Sequence, residues 1–228
     1  MKPALPASVR WLVRPLLLLA VVAGFGSCSA PSALAVTLNW NNPAGGFYAT
    51  PTNWSPTQVP ASIDVMVFNL NANYGVTSAN TTPQSASQIY RRGTVFLIAS
   101  SLHAIAGALQ VATTNLDVAA LELIGTLSAG STSQLGAVTG STGSLVVSGA
   151  GSLFQVTGAG QDLRVARFGV GDLQALDGAA VKIADDVFIG DDAGSDGGVT
   201  VSGTADTVAS TLQAPRTESS IACSWPIP

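Results

Sequence analysis

Short apolar runs recur every dozen or so residues from position 94 onward: "TVFLIA", "ALQVA", "LELIG", "SLVVSG", "LFQVTG", "LRVARF", "VKIA", "VFIG" and "VTVSG", each bounded by Gly, Ser, Asp or Asn. Runs of this length and spacing predict short strands joined by turns, as in a sandwich, a barrel or a β-solenoid. The text itself separates the three. "GSTGSLVVSGAGS" at 140–152 returns 54 residues later as "GSDGGVTVSGTAD" at 194–206. Strands of a sandwich sit in unlike environments and seldom echo one another, whereas every coil of a solenoid meets nearly the surroundings of the next.

The echo holds two coils. "DLRV" at 162–165 matches "DVFI" at 186–189, a spacing of 24, and "GDLQALDGAAV" at 171–181 resembles text 28 or 29 residues upstream and about 26 downstream. The expectation is an all-β chain forming a parallel β-helix (β-solenoid), with coils of about 24–29 residues and two or three short strands in each. In that register Val165 stacks on Ile189 and Leu163 on Val187, about 4.8 Å apart, while Val147 and Val201 lie two coils apart at about 10 Å. Their side chains are expected in a narrow apolar core.

The same residues resemble the repeat proteins associated with bacterial autotransporters and with PEP-CTERM sorting. The carrying motifs are "GSLVVSGAGSLFQV", "LRVARFGVGDLQALDGAAV" and "VFIG" within 143–190, with a new unit at "GSDGGVTVSG". The stretch "WNNPAGGFYATPTNWSPTQVPASIDVMVF" is similar to a segment that often opens the mature part of such proteins, with Trp40, Trp54, Pro60 and Asp64 at matching places. Phe154 stands where the family usually has Trp, and neither an autotransporter barrel nor a PEP-CTERM anchor follows. The resemblance implies a secreted or surface β-helical stalk without established enzymatic activity.

The amino terminus follows a different logic. Lys2, Arg10 and Arg14 precede the apolar run Leu16 to Phe25 and then "SCSAPSALA", the layout of a secretory signal peptide over 1–35. Ten uninterrupted apolar residues fall short of the roughly 20 that cross a bilayer, so membrane contact is expected only through the export signal. Ala33 and Ala35 place small residues where a signal peptidase reads, giving cleavage before Val36. The rival is lipidation at Cys28, whose "FGSC" carries Phe25 where a smaller aliphatic is usual.

Residues 36–92 read as an N-terminal cap. They carry Trp40 and Trp54, Phe47 and Tyr48, one strand over Ile63 to Phe68, and a polar stretch at 71–92 expected to be a long loop with at most one short strand. The solenoid is expected over 93–210. The tail 211–228, "TLQAPRTESSIACSWPIP", has no repeat signature and reads as a truncated or frameshifted end, leaving the last coil an open edge for self-association.

Composition narrows the function classes. Only 10% of the 228 residues are charged. Removing Lys2, Arg10 and Arg14 from nine basic residues leaves six against 13 acidic ones, a net charge of −7 that argues against nucleic-acid binding. Arg91-Arg92 is the one adjacent basic pair and reads as solvated charge. Cleavage would leave Cys223 alone, so no disulfide framework is expected.

Several groups invite chemistry. A 24-residue coil puts Asp162 beside Asp186 and Arg167 beside Asp191. Stacked carboxylates suit the acid–base work of polysaccharide-cleaving β-helices, but Asp also caps tight turns at coil corners, and Arg164 and Arg167 offset the charge. We adopt the corner reading. "GDDAGSDGG" at 190–198 could offer oxygens to Ca²⁺, yet it occurs once and reads as a turn. Trp40, Phe47, Tyr48 and Trp54 form either a sugar-stacking platform or a plug over the first coil, the plug being preferred. His103 is the only histidine and has no companion ligand. Asn53-Trp54-Ser55 and Asn80-Thr81-Thr82 fit the glycosylation sequon. No catalytic, metal or cofactor residue is assigned. The expected function is a non-catalytic exported structural or adhesion module whose partners are extracellular polysaccharide or cell-surface components. The alternative is a carbohydrate-binding or polysaccharide-degrading β-helix.

Overall fold

The computed structural model describes residues 34–79 and 83–219. Residues 1–33 of the expected signal peptide 1–35, Cys28 among them, lie outside the described residues, as do the Asn80 sequon and Cys223. No helix among the described residues is long and apolar enough to cross a membrane.

The chain is a parallel β-solenoid of about seven turns. One face stacks Thr37–Trp40, Val65–Phe68, Ser87–Tyr90, Leu109–Val111, Ser133–Leu135, Leu163–Val165, Asp186–Ile189 and Arg216–Ser219 in chain order, all parallel. A second face stacks Asn73–Ser78, the start of Arg92–Ile105, the start of Val118–Ala129, then Thr142–Ser148, Val170–Leu176 and Asp196–Ser202. The ends of the two long strands bend onto a third face, continued by Leu153–Val156, Ala180–Ile183 and Thr211–Gln213. The bend falls at Gly125, whose φ is +101°; a Cβ there would sit 1.9 Å from the Ala99 carbonyl oxygen, so only glycine fits.

The expected register is present. Leu163 partners Val187 and Val165 partners Ile189, and Val147 reaches Val201 through Ala175, two turns on. The 54-residue echo therefore divides into turns of 28 and 26 residues. Other turns depart from the 24–29 expected: Ile89 partners Gln110 after 21 residues and Leu135 partners Val165 after 30. Turn length varies because only the strand register must repeat; corner loops on the surface absorb the difference.

Alternation supplies the core. Leu121 and Leu123, Leu145 and Val147, Leu173 and Ala175 point inward and are buried, while their strand neighbours face water. The glycine opening each repeat also faces in. At Gly171 a Cβ would meet the Ala166 amide nitrogen at 2.3 Å, because the preceding corner backbone crosses directly beneath it.

Two stretches differ from expectation. Residues 71–92 hold three strands, Asn73–Ser78, Pro83–Ser85 and Ser87–Tyr90, so parallel stacking reaches back into the segment read as a cap. Residues 211–213 and 216–219, read as a tail without repeats, add strands to the third and first faces. At that end the packing thins: Ile189 and Val199 are half-buried and Val201 is 42% exposed, outside the core where it was expected.

Candidate functional site

The strand Asp186–Ile189 begins directly after a bend at Ala184 and Asp185. That bend gathers Asp162, Asp185 and Asp186, with one carboxylate oxygen from each within 4.8 Å of the others. The stacking of Asp162 on Asp186 was expected from the 24-residue spacing, and the Asp186 amide donates to Asp162 Oδ1 at 3.3 Å. Asp185 is an addition. It stands next to Asp186 in the text, but strict strand alternation would send neighbouring side chains to opposite faces; the bend cancels that alternation.

Arginines occupy this cluster. Arg216 donates from Nε to Asp186 Oδ1 at 3.0 Å and from Nη2 to Oδ2 at 2.7 Å, the two-pronged geometry guanidinium favours. Hydrogen bonding to Asp186, then its charge, raises the Arg216 pKa further. Arg164 sits 3.8 Å from Asp162 and donates to Asp191 at 2.5 Å, with its guanidinium over the Phe188 ring. Arg167, expected beside Asp191, meets Asp192: its carbonyl accepts the Asp192 amide at 3.1 Å and its Nε lies 3.7 Å from the Asp192 carboxylate. Asp162, Asp185 and Asp186 could offer oxygens to a divalent cation, but both Asp186 oxygens are already bound to Arg216.

The turn at 190–198 does not converge. Asp191 and Asp192 turn to Arg164 and Arg167, and the Asp192 carbonyl accepts the Ser195 amide and hydroxyl. Asp196 opens the next strand and faces water.

Trp40, Trp54 and Tyr48 are buried at 1%, 1% and 2% exposure, unavailable to stack on a sugar. Trp40 and Trp54 meet edge to face at 5.0 Å, and Phe68 stacks on Tyr90 at 4.5 Å, making an internal aromatic column. Phe47 alone of the four lies outside it.

His103 is buried between Gln88 and Ser78: Nε2 is 2.5 Å from Gln88 Nε2, and Nδ1 is 2.7 Å from Ser78 Oγ. Tyr90 donates to Gln88 Oε1 at 2.9 Å, and the Tyr48 ring packs edge-on to the imidazole. Desolvation lowers the His103 pKa to about 3, so the ring is neutral at physiological pH. Of the adjacent arginines, Arg91 pairs with Asp117 at 3.3 Å while Arg92 stands on the outer face.

The geometry defines a solenoid of the parallel β-helix class. No family model, curated protein or solved structure matches the chain.

Proposed function

We propose that this chain is a non-catalytic, exported structural or adhesion-type module of a bacterial surface or matrix, in kind with the repeat proteins its motifs resemble. The observation that carries this reading is the use made of the stacked acids. Asp162, Asp186 and Asp191 are tied by Arg164 and Arg216 across successive turns, which makes them clamps along the stack. A β-solenoid repeats one surface along its axis, and such regular flat faces suit contact with extended partners such as polysaccharide or a cell surface. The basic residues Lys2, Arg10 and Arg14 ahead of the apolar run Leu16 to Phe25 support export.

Reducing-sugar release and glycan-array binding by the chain starting at Val36 test this against the carbohydrate-active alternative. No release from any polysaccharide is expected, and Asp186→Asn should lower thermal stability by a few degrees through loss of the Arg216 clamp. Cleavage of a polysaccharide that disappears in Asp162→Asn or Asp186→Asn would overturn the reading.

A further inference from the structure

We infer that Asp64 is the receptor for the amino terminus created when the leader is removed, an inference that rests on cleavage before Val36. Asp64 is only 2% exposed, and among the described residues no cation pairs with it. Its Oδ2 accepts the Ala61 amide at 2.9 Å and Gln58 Nε2 at 3.2 Å. Its Oδ1 accepts from the Val36 nitrogen at 2.9 Å. Leu34 and Ala35, just upstream, are exposed. Hydrolysis of the Ala35–Val36 amide consumes one water, leaves the Ala35 carboxylate on the leader, and turns the Val36 nitrogen into an ammonium. A buried carboxylate that held a neutral N–H then holds a positive charge at the same place. Processing thereby fastens the first strand, Thr37–Trp40, to the turn before Val65–Phe68.

The test compares chains beginning at Val36 and at Ser32, each with wild-type Asp64 and with Asp64→Asn. The Val36 chain should melt roughly 3–8 °C higher at neutral pH. The ion pair raises the folded α-amino pKa above its free value near 8, so this gap is complete below that pH and closes as pH rises through the folded value. The gap should vanish in Asp64→Asn. Equal melting at neutral pH, or a gap that survives Asp64→Asn, overturns the inference. Amino-terminal sequencing of the exported protein judges the premise separately: a start at Val36 supports it, and a diacylated Cys28 peptide defeats it.

A second observation stands independently of function and processing. We propose that the second face binds the same face of another copy of this chain, with the solenoid axes antiparallel. One outward column of that face reads Arg92, Val118, Thr142, Val170, Asp196. Arg91, Arg164, Arg167 and Arg216 each meet an aspartate, whereas Arg92 and Asp196, at opposite ends of the column, have no ion-pair partner among the described residues. A two-fold axis along Thr142–Ser148 sets Arg92 against Asp196, and Val118, 61% exposed, against Val170, 42% exposed. It also sets Glu122 against Gln174, and no like charges meet. Five strands about 4.8 Å apart and seven residues of about 3.3 Å cover roughly 550 Å² per copy, about 1,100 Å² in all, the low end of specific interfaces.

Sedimentation of the chain from Val36 across the micromolar range should show a reversible dimer. Arg92→Glu and Asp196→Arg, made singly, should each weaken it by at least about tenfold, and the double variant should restore it, because the swapped charges again attract. A monomer throughout, including one that binds a glycan through this face, overturns the proposal. So does a dimer indifferent to the two charges, or a ladder of oligomers lost on Val201→Lys, which would place association at the open end.

Discussion

Replacing Trp54 by alanine is expected to lower the unfolding free energy by about 3–5 kcal/mol. The indole is 1% exposed and lies edge-on to Trp40 at 5.0 Å, Tyr48 at 5.2 Å and Phe68 at 5.5 Å. Its Nε1 donates to the Tyr48 carbonyl at 2.7 Å, and truncation would leave that acceptor without its donor. Trp54–Ser55 is also the antiparallel strand that covers the free edge of Thr37–Trp40, so the loss uncovers strand edge as well as apolar surface. The urea midpoint should fall accordingly. Phe47→Ala, at a position 63% exposed, should stay within about 0.5 kcal/mol. Similar midpoints for the two variants would refute the buried aromatic column.

The second large effect is acid sensitivity centred on His103. Its folded pKa is lowered from 6.5 to about 3 by burial. Between those values the unfolded chain binds a proton that the folded chain refuses, so stability present above pH 6.5 drains away as pH falls, by up to about 1.4 kcal/mol per pH unit. His103→Gln removes the titration while keeping an amide near Gln88 and Ser78. Carboxylates contribute to acid unfolding in both proteins and cancel in the difference. The stability difference between wild type and His103→Gln should therefore shift steadily toward the variant from pH 6.5 to 4. Parallel pH profiles would mean that His103 protonates freely in the fold.

The later turns were readable because identical surroundings impose identical residues. Leu163 and Val187 recur at 24 because both are fully buried positions on stacked strands of one face, whereas Val201 repeats Val147 at 54 in the text but ends its sheet and is 42% exposed. The early turns were not readable for the converse reason. Gln88, Ser78 and His103 face inward there and satisfy one another, which replaces the apolar positions that alternation relies on. Residues 216–219 were hidden similarly: "RTES" has no apolar position, and ladder hydrogen bonds to Asp186–Ile189 with the Arg216–Asp186 pair hold it. At the acidic cluster the 24-residue spacing exposed Asp162 and Asp186, while Asp185 depended on a bend that no periodicity records. The short contact of Asp64 with Val36 spans 28 residues and left no mark in the text beyond a family-like position.

The ladder also has a direction in time. On the first face each strand from Val65–Phe68 onward lies against one made earlier, and the aromatic column fills the turns nearest the amino end. On that face a chain made amino end first finds an edge already formed at every step and needs no residue still to come. Each added turn offers the next strand its edge, so folding of this kind can advance one turn at a time in the order in which the chain is made.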